Sequence, residues 1–235
     1  MNGIILAGGE GVRLRPYTID TPKPMLEVSG KPILHWLTRQ LGHAGVKEVV
    51  LMENYLSESI QEYFNNPDNQ PNSDMNIIHA LDKQPNNGTA ELVKAASGLF
   101  SNIECDTFLM AGDTLIDLDL KDMAAHHIAK QALITIAVRR ERLAHGIFES
   151  DDENKITDTQ EKPEVIIPTA TMLIKREVID NVDINGDFFL NIVPAIEEGG
   201  YVFEVSPDQV IHISERRDDL LKANDLWSRI QRGRP

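Results

Sequence analysis

Residues 3–16 of this chain read GIILAGGEGVRLRP, a short apolar run that passes directly into a glycine-rich loop. The apolar run predicts a buried β-strand, and a strand that feeds such a loop is typical of α/β proteins that bind nucleotides. Gly8, Gly9 and Gly11 allow the backbone to approach a bulky anion and to turn its N–H groups toward it. Arg13 adds a guanidinium that is always charged and suits phosphate oxygens. The stretch therefore predicts a phosphate-binding loop at the end of a strand.

The same residues exclude two common types of phosphate loop. No Gly-Lys-Ser/Thr sequence closes the loop, so it is not the Walker A motif of P-loop proteins. A dinucleotide-binding fingerprint would need a third glycine where Leu14 stands. A nicotinamide-dependent dehydrogenase is therefore a poor match to this sequence.

Helix-like and strand-like segments alternate downstream of the loop. Apolar residues at helical spacing, or in short continuous runs, distinguish the two kinds of segment. The helix-like segments are 33–44, 57–64, 89–100 and 120–130, and the strand-like runs are 46–52, 76–81, 107–111 and 132–138. This alternation predicts an α/β fold of Rossmann-like type, in which a mainly parallel sheet is flanked by helices.

The pattern changes after residue 139. A polar turn between two short apolar stretches predicts a β-hairpin over 146–162. Further on, the sequence predicts strands at 169–174, 201–205 and 210–213 and helices at 187–199 and 218–230. Because no linker or repeat interrupts the chain, we expect a single domain over 1–235, with a nucleotide-binding part at 1–139 and a smaller second part at 140–235.

Composition narrows the classes of partner. The 235 residues include 23 Lys and Arg against 37 Asp and Glu, which gives a net charge of −14. Such a surface repels nucleic acid and anionic membranes, and no apolar run approaches the roughly 20 residues that a membrane helix needs. The single cysteine, Cys105, cannot form an internal disulfide, and the start of the chain lacks a signal-like segment. We therefore expect a cytoplasmic protein without nucleic-acid or membrane partners.

Two further positions carry charge in constrained surroundings. Lys23 lies between Pro22 and Pro24, which fix the backbone on either side of it. Asp113 follows the strand-like run 107–111, so it is expected at the carboxyl edge of the sheet, where open α/β folds bind ligands. Its carboxylate is of the type that holds Mg²⁺ next to phosphate oxygens.

Taken together, these motifs resemble a known family. Residues 6–32, LAGGEGVRLRPYTIDTPKPMLEVSGKP, are similar to the N-terminal signature of the sugar-phosphate nucleotidyltransferases, also called sugar-nucleotide pyrophosphorylases. Similar stretches follow in the expected order at 84–90 (QPNNGTA), 111–113 (AGD) and 161–163 (EKP). The resemblance implies a short form of the family, since nothing in the sequence can form the β-helix of hexapeptide repeats that many longer relatives carry.

The resemblance also implies a reaction and its residues. An NTP and a sugar 1-phosphate would give a nucleoside-diphosphate sugar and pyrophosphate, with Arg13, Lys23 and Asp113 as catalytic residues and Mg²⁺ on Asp113. The nucleotide would be bound by Leu6, Ala7, Gly8, Gly9, Gly11, Gln84, Gly88 and Thr89. The sugar phosphate would be bound in the second part of the chain by Gly146, Glu161 and Lys162.

Two positions depart from the family pattern. His212 stands where a second metal-binding aspartate is expected, and imidazole is a poor ligand for Mg²⁺ but a good one for Mn²⁺ or Co²⁺. Three outcomes are open: Asp113 and the phosphates alone hold the metal, His212 joins it as a ligand of a softer metal, or activity is weakened or lost. Residues 169–171, TAT, replace the asparagine and glycine that usually contact the sugar.

Two other interpretations share the same fold. One is a regulatory protein that binds nucleotides or nucleotide sugars with weakened catalysis, and the other is a nucleotidyltransferase for a non-sugar phosphate. Gly146 and the stretch 161–163 argue against the second. The sequence fixes neither the base nor the sugar, and a homo-oligomer is compatible with it.

Overall fold

The computed structural model describes residues 1–71, 74–82, 88–213 and 217–233. Its strands are β1 (Asn2–Leu6), β2 (Glu27–Val28), β3 (Lys31–Pro32), β4 (Glu48–Glu53), β5 (Asn76–Leu81), β6 (Thr107–Ala111), β7 (Thr114–Ile116), β8 (Ile134–Arg142), β9 (Ile147–Ser150), β10 (Ile156–Gln160), β11 (Glu164–Ile174), β12 (Gly200–Glu204) and β13 (Val210–His212). Its helices are α1 (Ile33–His43), α2 (Ser57–Asn65), α3 (Thr89–Ser97), α4 (Leu120–Lys130), α5 (Arg176–Asn181), α6 (Phe188–Asn191), α7 (Val193–Gly199) and α8 (Arg217–Gly233).

A seven-stranded sheet in the order β12-β8-β11-β6-β1-β4-β5 forms the centre of the described structure. Every neighbouring pair is parallel except those that include β11, which runs antiparallel to both β6 and β8. The mainly parallel sheet predicted from the alternation of segments is confirmed. β1 lies between β4 and β6, so the glycine-rich loop leaves the sheet from its parallel centre.

Helices cover both faces of the sheet, and a separate apolar core lies on each side. The first core is formed with α1, α2, α4 and α8, and the second with α3, α5 and α6. Consecutive residues of β1 serve opposite cores: Ile5 points into the first and Ile4 into the second, and both are fully buried. A strand covered on both faces needs a continuous apolar run rather than an alternating one, which is the pattern at the start of this sequence.

Most predicted elements are found close to their predicted bounds, and two are not. The helix predicted at 187–199 is divided into α6 and α7, because Pro194 has no N–H and its ring clashes with a continuing helix. The strand predicted at 169–174 begins earlier, at Glu164. The elements α5, β7 and the β2–β3 hairpin were not predicted, because they are too short to show a clear period in the sequence. Among the described residues, no helix is long and apolar enough to cross a membrane.

The last helix covers the region that follows Lys23. Ser29, in the β2–β3 turn, donates its backbone N–H to Asn224 Oδ1 on α8 at 2.8 Å, and its hydroxyl lies 2.7 Å from that of Ser228. Trp36 of α1 meets Trp227 of α8 edge to face, with 5.9 Å between the ring centroids. The closing helix therefore fixes the β2–β3 hairpin against α1.

His35 on α1 is surrounded by aromatic rings and by positive charge. Its ring lies edge to face with Trp36 and Tyr63, at centroid distances of 5.5 and 6.1 Å. Burial, together with the positive charges of Lys31 and Arg39, lowers the pKa of His35 from 6.5 to about 4. The folded protein therefore keeps this imidazole neutral at pH values at which the unfolded chain protonates it.

We expect the free energy of unfolding to decrease as the pH falls from about 6.5 to about 4, because only the unfolded chain takes up this proton in that window. His35→Gln removes the titrating group and should flatten this part of the curve, as measured by urea unfolding at a series of pH values. His145→Gln, at an exposed position, is the control and should retain the wild-type pH dependence. A His35→Gln curve parallel to that of the wild type would contradict the assignment.

Candidate active site

The glycine-rich loop begins at the carboxyl end of β1, between its two neighbouring strands. Ala7 donates its backbone N–H to the Met52 carbonyl on the β4 side at 2.8 Å, and Gly112 donates to the Leu6 carbonyl on the β6 side at 2.9 Å. A Cβ added at Gly9 would meet nothing within 4 Å, so this part of the loop is open. The loop therefore presents bare backbone at the edge of the sheet.

The end of the loop packs on the segment that carries Lys23. Gly11 has a positive φ of 62°, and a Cβ on it would lie 3.0 Å from the Lys23 Cβ and 3.0 Å from the Thr18 Cγ2. The Thr18 hydroxyl donates to the Gly11 carbonyl at 2.8 Å. Arg13 follows on a short 3-10 helix that is anchored by the buried side chain of Leu14, and Arg13 itself is exposed. The sequence-predicted residues Gly11 and Lys23 are thus in direct contact.

Lys23 and Asp113 form an ion pair at the edge of the sheet. Lys23 Nζ lies 2.6 Å from Asp113 Oδ2, and the two side chains are 12% and 29% exposed. Lys23 starts a short 3-10 helix that is preceded by Pro22, as its constrained surroundings in the sequence suggest. A small cleft of about 110 Å³ is lined by Leu6, Gly9, Lys23, Pro24, Ala111, Gly112 and Asp113. The structure therefore brings the loop, the lysine and the aspartate to one cleft.

His212 lies beside Asp113 because β13 pairs with β7, with His212 opposite Thr114. His212 Nδ1 is 3.9 Å from Asp113 Oδ1. The Thr114 hydroxyl donates to Asp113 Oδ1 at 3.1 Å and lies 2.8 Å from His212 Nδ1. A hydroxyl has one proton, so His212 Nδ1 must be the donor to Thr114, and in the neutral ring Nε2 then carries the lone pair. Thr114 gave no signal in the sequence beyond its position after Asp113.

The protein ligands available for a cation at this cleft are few. Within the described ranges, no group of three or more His, Cys, Asp or Glu side chains could hold a metal ion. Asp113 Oδ1 and the imidazole of His212 form a pair of suitable donors, one oxygen and one nitrogen. A cation on this pair would need its remaining ligands from phosphate oxygens or water.

The second predicted group is brought together in part. A Cβ on Gly146 would lie 3.0 Å from Glu161 Oε2 and 3.3 Å from the Gln160 carbonyl, so the glutamate packs closely on the glycine. Lys162 is exposed and has a positive φ of 47°. Gly146 and Glu161 are therefore neighbours at the base of the β9–β10 hairpin, with Lys162 directly after them.

The departure at 169–171 coincides with a β-bulge. The register of β11 with β8 shifts between Pro168 and Met172, and Ala170 has a positive φ of 58°. Thr169 is buried and donates its hydroxyl to the Ala137 carbonyl at 2.9 Å. Thr171 is also buried, opposite Met110 of β6. The two threonines are thus held within the sheet, close to where β6 leads to the cleft.

The predicted base-contacting residues are described only in part, since Gln84 lies outside the described residues. Gly88 has φ 88° and ψ 169°, and a Cβ on it would lie 2.1 Å from the Gly186 carbonyl oxygen. The Thr89 hydroxyl accepts the Phe188 backbone N–H at 2.8 Å and lies 3.4 Å from Asp187 Oδ2. Gly88 and Thr89 therefore join the start of α3 to the start of α6, and their contact with a nucleotide stays a prediction.

Residues 2–223 match the family of proteins described as nucleotidyl transferases, and the chain belongs to that family. A UTP–glucose-1-phosphate uridylyltransferase from Synechocystis sp. is 31% identical over 98% of this chain and 63% of its own length. A mannose-1-phosphate guanyltransferase from Yarrowia lipolytica is 30% identical over 78% of this chain and 52% of its own length. A D-glycero-α-D-manno-heptose 1-phosphate guanylyltransferase from Aneurinibacillus thermoaerophilus is 34% identical over 59% of this chain and 57% of its own length. The chain thus spans between half and two thirds of the length of these curated relatives.

Solved structures share the fold. The crystal structure of HddC from Yersinia pseudotuberculosis superposes with a TM-score of 0.72 and 24% identity, over 96% of this chain and 99% of that chain. The same protein complexed with GMP-PN gives a TM-score of 0.70 and 23% identity over the same shares. The likeness confirms the Rossmann-like architecture.

Gly88→Ala should destabilise the protein more than Gly186→Ala does, because both residues have a positive φ but only a Cβ at Gly88 meets a carbonyl oxygen. We expect a loss of about 1–2 kcal/mol for Gly186→Ala, from left-handed backbone strain alone. For Gly88→Ala we expect roughly 3 kcal/mol or more, since its φ and ψ are also nearly restricted to glycine. Urea unfolding of both variants measures the difference, and equal losses would contradict the steric account.

Proposed function

We propose that this chain is a sugar-1-phosphate nucleotidyltransferase, which makes a nucleoside-diphosphate sugar and pyrophosphate from an NTP and a sugar 1-phosphate. The observation that carries the proposal is the cleft in which Lys23, Asp113 and the open part of the glycine-rich loop meet. Family membership supports it, as do the names of the three relatives, each of which pairs a sugar 1-phosphate with nucleotidyl transfer. These names differ in the base and in the sugar, so both stay open for this chain.

The reaction joins two anions, so the site must neutralise charge and align the reactants. An oxygen of the sugar phosphate forms a bond to the α-phosphorus of the NTP, the bond from that phosphorus to the bridging oxygen breaks, and pyrophosphate leaves with the electron pair. Arg13 and the N–H groups of the loop would hold the β- and γ-phosphates, and Lys23 would face the α-phosphate. Lys162 would hold the attacking phosphate. Glu161, beside Gly146, would accept a hydrogen bond from a sugar hydroxyl.

The Lys23–Asp113 ion pair supports this assignment because it keeps opposite charges at one point of the cleft. The lysine is held by its own backbone between two prolines and by a short contact to a carboxylate at the end of a buried strand. Its position is therefore fixed before a triphosphate enters, which reduces the entropy lost on alignment.

A divalent cation is part of the proposal. Asp113 and His212 would hold such an ion as a carboxylate–imidazole pair, with the bond of His212 Nδ1 to Thr114 leaving Nε2 as the nitrogen that can bind it. When bound, the cation would offset the negative charge of the phosphates. The resemblance implies Mg²⁺, and the imidazole shifts the expected preference toward Mn²⁺ or Co²⁺.

The division of the chain into a nucleotide-binding part at 1–139 and a sugar-phosphate-binding part at 140–235 belongs to the same proposal. Its boundary falls inside β8, and strands from both parts lie side by side in the seven-stranded sheet. A division of roles within one sheet, rather than two separate domains, is therefore what we propose.

Lys23→Ala and Asp113→Ala should each abolish pyrophosphate release while the protein stays folded, because each removes one charge from the cleft. A coupled assay of pyrophosphate over a panel of NTPs and sugar 1-phosphates measures the loss. Lys47→Ala and Asp74→Ala are matched controls, since these side chains form an ion pair of 3.7 Å that is 65% and 72% exposed. Wild-type turnover in either cleft variant would refute its assigned role.

His212→Asp should raise the affinity for Mg²⁺ relative to Mn²⁺ or Co²⁺ by roughly tenfold or more, because an oxygen ligand replaces a nitrogen ligand. Calorimetric titration of each cation, in the presence of the NTP that binds best, measures the ratio of the Mg²⁺ affinity to the Mn²⁺ or Co²⁺ affinity. This measurement does not depend on turnover. An unchanged ratio would mean that the cation does not contact residue 212. Nucleotide binding without pyrophosphate release, with every cation tested, would instead favour the weakened regulatory protein.

A further inference from the structure

The carboxylate of Glu53 is buried at the carboxyl end of β4, outside the cleft. Glu53 is the last residue of β4, and it is fully buried. Its Oε1 lies 2.6 Å from His79 Nδ1 on β5, and its Oε2 accepts the side-chain amide of Gln61 on α2 at 3.2 Å. Burying a carboxylate costs free energy unless the carboxylate is paired. An apolar side chain at this position could be buried without that cost. Packing alone therefore gives no reason for a glutamate here.

Glu53 is followed at once by the turn 54–56, which joins β4 to α2 and packs on the glycine-rich loop. A Cβ on Gly8 would lie 3.2 Å from the Asn54 Cβ and 3.5 Å from the Asn54 backbone N. The Gly8 position is therefore in direct contact with the first residue of the turn. Any shift of the turn would move or crowd the start of the loop.

The same turn also holds the far end of the loop. The Tyr55 hydroxyl donates to the Ile19 carbonyl at 2.7 Å and lies 3.2 Å from the Thr18 carbonyl. Thr18 in turn bonds to the Gly11 carbonyl at 2.8 Å. Gly8 at the start of the loop and residues 18–19 beyond its end thus contact one three-residue turn.

Glu53 is positioned to fix this turn from several directions. Its side chain is held by α2 and by β5, and its carbonyl accepts the Asp82 backbone N–H at 2.7 Å. The turn itself is tight, since Leu56 has a positive φ of 50°. The turn continues β4 at one end and leads into α2 at the other, and Glu53 links it to α2 and to β5. The turn therefore has little freedom to move relative to the loop.

We propose that the pair formed by buried Glu53 and partly buried His79 is a positioning device, which holds the turn 54–56 against the glycine-rich loop so that the loop binds the phosphates of an NTP. The proposal rests on the proposed function, since it assigns Glu53 a role in nucleotide binding. Glu53 acts through the turn and does not touch the reacting atoms, so it is a positioning residue.

The main test replaces the pair by apolar residues of similar size. The double variant Glu53→Leu/His79→Leu leaves no unpaired charge, and such replacements of buried ion pairs are often neutral or stabilising. We expect its thermal stability to match that of the wild type, whereas its Kd and KM for the NTP should rise about tenfold, because a displaced loop misplaces the phosphates. The kcat value and the KM for the sugar 1-phosphate should change little.

A milder variant and a control complete the test. Glu53→Gln keeps the side-chain shape and an acceptor oxygen for His79. This variant should retain most of the wild-type affinity for the NTP. His127→Gln changes a fully buried histidine on α4, whose Nδ1 lies 2.8 Å from the Thr135 hydroxyl on β8. It should lower stability and leave the Kd for the NTP unchanged.

The outcomes separate this inference from the proposed function. NTP binding is measured by calorimetry with ATP, CTP, GTP, UTP and dTTP in turn, and the tightest binder is taken forward. A folded double variant that binds this NTP with the wild-type Kd would overturn the positioning role and leave the proposed function intact. A double variant that does not fold passes the test to two single variants: Glu53→Gln, which should bind the NTP like the wild type, and His79→Leu, which should bind it more weakly because the contact to Glu53 is lost. A folded His79→Leu variant with the wild-type Kd would then overturn the positioning role. A wild-type protein that binds none of the five would overturn both.

Discussion

The contact of 2.6 Å between Lys23 Nζ and Asp113 Oδ2 joins two segments that lie 90 residues apart in the sequence. Asp113 is placed by β6, which needs β1 as its parallel neighbour, and Lys23 is placed by a proline-bounded segment that packs on Gly11. The ion pair therefore depends on the centre of the sheet, on the glycine-rich loop and on the 3-10 helix together. In a chain of net charge −14, this ion pair keeps the positive ammonium of Lys23 at the edge of the sheet where a polyphosphate is expected.

The sequence predicted the parts of the fold that depend on local periodicity. The continuous apolar run predicted β1, and the helical spacing of Ile33, Leu34, Leu37 and Leu41 predicted α1; both were found within a residue of their predicted bounds. The division at Pro194 was missed, although a proline within a helical pattern is a sufficient warning. The strand β7 was missed because three residues carry no period, and its partner β13 comes about 95 residues later along the chain.

The candidate site was predictable where stretches of the sequence resemble the family. Lys23 and Asp113 were chosen through that resemblance, and the structure brings them together. Thr114 and Glu53 could not be chosen in this way. The role of Thr114 depends on the pairing of distant strands, and a charged residue such as Glu53 ends the apolar pattern of its strand, so it is read as exposed.

The closing helix α8 is linked to two segments near the cleft. Its chain is continuous with the strand that ends at His212, and its side chains bond to Ser29, six residues after Lys23. Loss of α8 would therefore remove the hydrogen bonds that hold the β2–β3 turn, and this turn continues the segment that carries Lys23.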